Sequence, residues 1–308
     1  MNRRAVLELS GLAAGVLTSG AVQTAAPPAR QAAVPPKRFL GSRVTTRDGV
    51  GLHVSDWGRG KVIVFVHSWA LNSQMWDYQV AAFTRAGWRC VVYDRRGHGR
   101  SDVPGWGYDY NSLADDLAAV IDSIGVDKVV LVAHSMGGGE VIRYLTCHGA
   151  SRVERVVLLA PTAPGIAKST TNPTGLDLQI FETMRSSWRK DFPQWIDENT
   201  DPFFTPMTSP GMKRWLAQMM SQTPLQVAIT CNQNLVETDF RTELRALRTP
   251  MLIMHGDQDK SAPVQLTGQV TATLVPGAQF EVVERAPHGL FVTHCEQVNS
   301  SVLKFLAA

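Results

Sequence analysis

The chain has 308 residues, 44% of them hydrophobic and 19% charged, with a formal net charge of +3. This length and composition suit one large α/β domain with an insertion, or two domains. No basic run or basic–aromatic stripe points to nucleic acid, and no internal apolar run is long enough to span a membrane.

Two of the positive charges fall in a leader, residues 1–33. It opens with Asn2-Arg3-Arg4, continues through the apolar Leu9–Val22 and runs into the Pro/Ala-rich Ala25–Pro36. Paired arginines before a weakly hydrophobic, Gly/Ala-rich segment resemble a twin-arginine signal. The expectation is export of a folded protein to the periplasm or the medium, with no stable membrane insertion once the signal is removed. The four cysteines, Cys90, Cys147, Cys231 and Cys295, are widely spaced without a C-x-x-C pair. They are expected to be free thiols, and neither a metal site nor an organic cofactor is implied.

Arg43–Thr46 and Leu52–Trp57 read as a β-hairpin across Asp48-Gly49. Lys61–His67 is a strand apolar on both faces, followed by His67-Ser68-Trp69-Ala70. Met75–Gly87 has helical spacing, and Arg89–Asp94 is the next strand. Asn111 is expected to cap a helix that ends at Ile124, with Gly125 closing it. Val153–Leu159 is a further strand. Alternation of this kind predicts a mostly parallel sheet covered on both faces, with ligands bound at the carboxyl ends of its strands. Thr162–Arg248 breaks the rhythm. Rich in Trp, Phe, Met and Pro, it reads as an inserted helical cap over residues 163–248, with the core formed by 37–162 and 249–308. Thr249–His255 resumes the sheet, Pro263–Leu274 is a helix, Gln279–Glu284 is the last strand and Leu290–Leu306 a terminal helix.

Between these elements lies Lys128–Glu140, K-V-V-L-V-A-H-S-M-G-G-G-E. A buried strand, a serine and three glycines before a helix make a nucleophile elbow with Ala133 at its first small position. The corner holds the Ser135 hydroxyl above the sheet, and the Met136 N–H points to where an oxyanion would form. A strand–Ser–Gly turn is also an ordinary structural corner, so the remaining strand ends decide. They supply Asp257 and Asp259 after one strand and His288 after the last, in the order serine, acid, histidine. The chemistry needs all three, because a serine hydroxyl is a poor nucleophile until an imidazole takes its proton and a carboxylate orients that imidazole. His134 is expected to point away from the site, and His53, His148 and His294 to be surface or packing residues. His255 and His98 are assigned no catalytic part. Asp94 is expected to pair with Arg95-Arg96, and Asp115 and Asp116 to form a solvated helix face.

With these blocks in view, the chain resembles the α/β-hydrolase fold family, and within it the aryl-esterase and cofactor-free haloperoxidase group. D-R-R-G-H-G-R-S (Asp94–Ser101), A-H-S-M-G-G-G-E (Ala133–Glu140), E-T-D-F-R (Glu237–Arg241), M-H-G-D-Q-D (Met254–Asp259) and A-P-H-G-L (Ala286–Leu290) match that group's blocks in order. The resemblance covers Phe39–Ala308. It implies a mostly parallel eight-stranded sheet flanked by helices, and it selects Asp259 as the acid, leaving Asp257 to order the turn. It also implies that the backbone N–H groups of Trp69 and Met136 form the oxyanion hole. Two departures stand out. Ser68 replaces a glycine, either tolerated as such or offering its hydroxyl as an accessory donor. Ala70 stands where perhydrolase-like members carry proline, which tilts the reading toward plain ester hydrolysis. The expected activity is cleavage of small or aryl carboxylic esters, or lactones and lactams, in a pocket formed by Trp69, Phe181, Trp188, Phe203 and Leu290. Perhydrolysis, making peracid from carboxylate and peroxide, uses the same triad and is the alternative. A ligand-binding homologue without turnover is the third. The expected partner is a small-molecule ester, and homo-oligomerisation is left open.

Overall fold

The computed structural model describes residues 42–308. The leader expected at residues 1–33 lies outside them. The sheet consists of β1 (Arg43–Thr45), β2 (Gly51–Gly58), β3 (Val62–Val66), β4 (Arg89–Tyr93), β5 (Val129–His134), β6 (Val153–Leu159), β7 (Met251–Gly256) and β8 (Gln279–Val283). Their spatial order is β1-β2-β4-β3-β5-β6-β7-β8. β1 and β2 are antiparallel to their neighbours, and every other pairing is parallel. Eight strands, mostly parallel, are what the sequence blocks implied.

The buried strands explain the layering. In β3 every residue is buried, with Val62, Val64 and Val66 in one apolar cluster and Ile63 and Phe65 in the other. A strand with apolar residues on both faces needs cover on both. On one side lie α2 (Tyr110–Ile124) and α3 (Met136–Cys147), on the other α1 (Asp77–Arg85) and the C-terminal helix. Between β6 and β7 the chain forms α4 (Leu178–Asn199), α5 (Pro210–Ser221), α6 (Leu225–Glu237) and α7 (Arg241–Ala246). α4 is kinked at Asp191, whose φ of −159° is not helical, two residues before Pro193.

Several sequence expectations need correction. The cap of α2 is Asp109, whose side chain accepts the Asn111 and Ser112 N–H groups, and Asn111 lies inside the helix. Gly125 closes that helix at φ 69°, as expected. The helix expected over Pro263–Leu274 forms only as α8 (Gly268–Leu274), because the Thr267 hydroxyl turns back on the Ala262 and Pro263 carbonyls. The terminal helix is two, α9 (Leu290–Thr293) and α10 (Cys295–Ala307), parted at His294 by φ −125°. Among the described residues no helix is long and apolar enough to cross a membrane.

Candidate active site

Ser135 stands at the corner between β5 and α3 with φ 53° and ψ −119°. A non-glycine residue in that region costs about 1–3 kcal/mol, which the surrounding packing must hold. What holds it is the close approach of α3 to β3. A Cβ on Gly137 would stand 2.7 Å from the Val66 carbonyl oxygen and 2.8 Å from that of His67. The strained corner lifts Ser135 Oγ to 2.9 Å from His288 Nε2. His288 Nδ1 lies 2.6 Å from Asp259 Oδ2. A carboxylate only accepts, so Nδ1 carries the proton and Nε2 is free to accept from the serine hydroxyl. The three side chains come from the ends of β5, β7 and β8, and all three are buried.

The acid is more heavily partnered than its place in a motif suggests. Asp259 Oδ1 accepts the Ser261 and Ala262 N–H groups at 2.9 and 2.8 Å. Oδ2 accepts from His288 and also from His255 Nε2 at 3.0 Å. His255 Nε2 faces the Ala262 carbonyl at 2.8 Å as well, so with two acceptors before it this nitrogen must carry hydrogen. Burial pushes the Asp259 pKa up, but the charge of His288 and the bonds from both imidazoles outweigh it and hold the carboxyl well below its ordinary value. Asp257 does not order the turn: it is exposed, its backbone N–H donates to the Val283 carbonyl of β8 at 3.2 Å, and its carboxylate has no partner among the described residues.

His288 is boxed in. Phe203 meets its ring edge-on at 4.9 Å between centroids, and the His134 ring lies 4.7 Å away. His134 does turn away from the Ser135 side, and there Nε2 donates to the His288 carbonyl at 2.9 Å.

The loop facing the elbow is fixed from behind by a buried ion pair. Arg95 Nε donates to Glu140 Oε2 at 2.8 Å, with neither side chain exposed. Its Nη2 donates to the His67 carbonyl at 2.8 Å and Nη1 to that of Ser68 at 3.3 Å. Tyr93 donates to the other Glu140 oxygen. The guanidinium thus ties the carbonyls of residues 67 and 68 to the second turn of α3. Among the described residues neither the Trp69 nor the Met136 backbone N–H has an acceptor. Ser68 directs its N–H to Met75 Sδ at 3.3 Å, and its φ is not positive, so a side chain fits there without strain. Ala70, by contrast, has φ 53°.

Above Ser135 lies a cavity of about 310 Å³ between the sheet and α4–α6. Trp69, Phe181, Trp188 and Phe203 line it together with Ser68 and His288. Leu290 does not. It opens α9 and is fully buried in the core with Phe291, because Gly289 is pressed against the Phe203 carbonyl and the chain turns inward from there. Trp69 is the hinge-piece between loop and cap. Its ring stacks on Trp188 at 4.9 Å and its Nε1 donates to the Ala228 carbonyl at 2.8 Å.

The family profile for the alpha/beta hydrolase fold matches residues 61–294. The chain belongs to the α/β-hydrolase family. Among its relatives, the non-heme chloroperoxidase CPO-A1 of Kitasatospora aureofaciens is 36% identical over 85% of this chain and 98% of that protein. The bifunctional esterase/perhydrolase DCH of Acinetobacter calcoaceticus is 34% identical over 85% of this chain and 98% of its own. An esterase from Exiguobacterium antarcticum superposes with a TM-score of 0.84 at 28% identity, covering 87% of this chain and all of that one. This hydrolase therefore has both esterase and haloperoxidase relatives in the group that its sequence blocks resemble.

Within the hydrolase fold, sequence reasoning missed the residues that hold the site in place. Asp94 does not pair with Arg95 or Arg96. It accepts from Arg100 and from the Ser73 N–H, while Arg95 takes Glu140 and Arg96 takes Asp116 and Asp48. Asp116 is accordingly buried, and only Asp115 of the expected solvated pair is exposed. Helical phase could have separated these two, since Asp116 shares a face with Leu113, Leu117 and Val120. His255 gave no such signal. Its part depends on a turn that brings Asp259 back over the end of β7.

Proposed function

We propose that the protein is a serine hydrolase of carboxylic esters. The observation that carries the reading is the continuous hydrogen-bond chain from Ser135 Oγ through His288 to Asp259, opening on a cavity walled by aromatic rings. In this reading Ser135 Oγ attacks the ester carbonyl as His288 Nε2 takes its proton, and Asp259 holds the imidazolium in place. The tetrahedral oxyanion is received by the Trp69 and Met136 N–H groups, both of which are without acceptors among the described residues. The proton then passes from His288 to the leaving alkoxide or phenoxide. A water deprotonated by the same nitrogen releases the acid. The aromatic wall suits small or aryl groups, and lactones are open to the same attack. The twin-arginine leader would place this activity outside the cytoplasm. Ser68 contributes no chemistry here, and Ser68→Gly leaves kcat within about twofold.

The names of the relatives favour a second reading, perhydrolysis, in which peroxide and a carboxylic acid give a peracid at the same serine. The backbone at residue 70 supports hydrolysis instead. Proline is confined to φ near −65°, so the φ of 53° at Ala70 belongs to a loop that a proline-bearing relative cannot share.

A panel of aryl and alkyl esters, lactones and amides, with peroxide-plus-acetate halogenation run alongside, tests both readings on wild type and Ser135→Ala. Ester turnover well above halogenation is expected, with a fall of about 10³-fold or more in Ser135→Ala. Halogenation exceeding ester hydrolysis would reverse the order. Failure of a fluorophosphonate to label Ser135 would leave a ligand-binding protein.

A further inference from the structure

The cavity above Ser135 is walled largely by apolar and aromatic side chains, and its cap side carries two amides, Asn199 and Asn232. The Asn199 nitrogen is already used, donating to the Trp195 carbonyl at 2.8 Å. Asn232, on α6, is 7% exposed and lines the cavity beside Leu235. Its orientation is fixed from outside the cavity. Arg185, on α4, donates from Nη1 to Asn232 Oδ1 at 3.0 Å. A guanidinium has donors only, so the amide atom facing it must be the oxygen. Arg185 is itself held by Glu182, which accepts from Nε and Nη2 at 3.2 and 3.0 Å. The amide nitrogen therefore points the other way. Nδ2 has no hydrogen-bond partner among the described residues and is not sealed in the protein, and the residue that carries it lines the cavity. Trp188 lies in the same wall, but its indole N–H is sealed within the protein and is not offered to the cavity.

A pocket for plain hydrocarbon groups has no use for an amide clamped so that its donor faces inward. An N–H group without an acceptor in such a wall is complementary to oxygen. We propose that Asn232 is a specificity-determining residue, and that the preferred substrates are esters or lactones bearing a second acceptor oxygen, an oxo group in particular, away from the scissile carbonyl. This deepens the ester-hydrolase reading of the site and rests on it. An oxo substrate pairs with Nδ2, whereas its methylene counterpart leaves the donor unpaired on binding.

The test uses matched aryl hexanoates with an oxo group at C3, C4 or C5, each beside its methylene counterpart. For each pair kcat/KM is measured on the wild type, and Kd on Ser135→Ala, where binding is read without turnover. Asn232→Asp keeps an oxygen for Arg185 and replaces the donor with an acceptor, while Asn232→Leu removes both. The wild type is expected to prefer the oxo ester by about tenfold at one position or more, in kcat/KM and in Kd, and both substitutions bring that ratio to near one or below. Equal handling of every pair by the wild type overturns the proposal, as does a ratio that survives both substitutions. An oxo preference in Kd that depends on Asn232, in a protein that turns over none of these esters, would instead refute the ester-hydrolase reading and leave recognition by Asn232 standing.

Discussion

Asp259 Oδ2 serves two imidazoles, and only one of them reaches Ser135. With two backbone N–H groups on Oδ1, the carboxylate has four donors and little freedom to rotate. His255 is a positioning residue: it touches neither Ser135 nor the cavity, yet it closes the last open direction around the acid. In His255→Leu the acid keeps its charge but loses one of its two donors at Oδ2, and kcat is expected to fall about tenfold. Glutamine can place an amide N–H close to where Nε2 stands, so His255→Gln is expected to recover most of that loss. Steady-state kinetics on the two variants reads the difference. At this scale the sequence was legible where chemistry dictates residue type and order, as for Ser135, Asp259 and His288. It was silent on His255, because nothing in M-H-G-D-Q-D says that the turn folds its last residue, Asp259, back over the His255 imidazole.

Among the elements, the pairing of α3 with the loop after β3 does most to shape the site. Gly137 lets the helix meet the carbonyls of Val66 and His67, at the end of β3 and the start of that loop, and Glu140, one turn on, anchors Arg95 behind the carbonyls of His67 and Ser68. Both contacts come from one run of four residues in the elbow motif. Gly137→Ala is expected to abolish esterase activity while leaving a folded protein of reduced stability. Its Cβ would meet backbone atoms at 2.7 and 2.8 Å that cannot swing aside as a side chain could. Circular dichroism and thermal melting, measured with the ester assay, separate the two effects. The strands and the main crossover helices were readable from apolar runs and glycine stops. The ends of α8 and the break at His294 were not, since Thr267 and His294 are no helix breakers by type. Their backbone follows from contacts made elsewhere, such as the Thr267 hydroxyl on the Ala262 carbonyl.

Taken whole, the molecule buries more histidine than its catalytic chemistry uses. His67, His98 and His134 are fully enclosed, and burial drives each below the ordinary imidazole value, His98 down to about 3. The unfolded chain takes up these protons below about 6.5 while the folded chain refuses them. Their contribution is therefore complete above that pH and is lost as the pH falls toward the folded values. Asp259 works in the same direction further down, since its lowered pKa stabilises the fold above the carboxylate range and not below it. Urea titrations between pH 7.5 and 4.5 are expected to show stability falling by up to about 1.4 kcal/mol per pH unit for each histidine that titrates. A flat profile across that range would show that these imidazoles are charged or exposed in the native state.

The stack of Trp69 on Trp188 joins a residue of the loop after β3 to a residue of the cap. Two indoles 4.9 Å apart and 27° from coplanar share their electronic transitions. The pair is thus expected to serve as a built-in optical gauge, its near-ultraviolet dichroism and its emission changing with whether the cap sits down on the loop. Should the cap lift as substrate enters or product leaves, the same motion that loosens the oxyanion hole would switch that signal off, and stopped-flow fluorescence would time it without any added label.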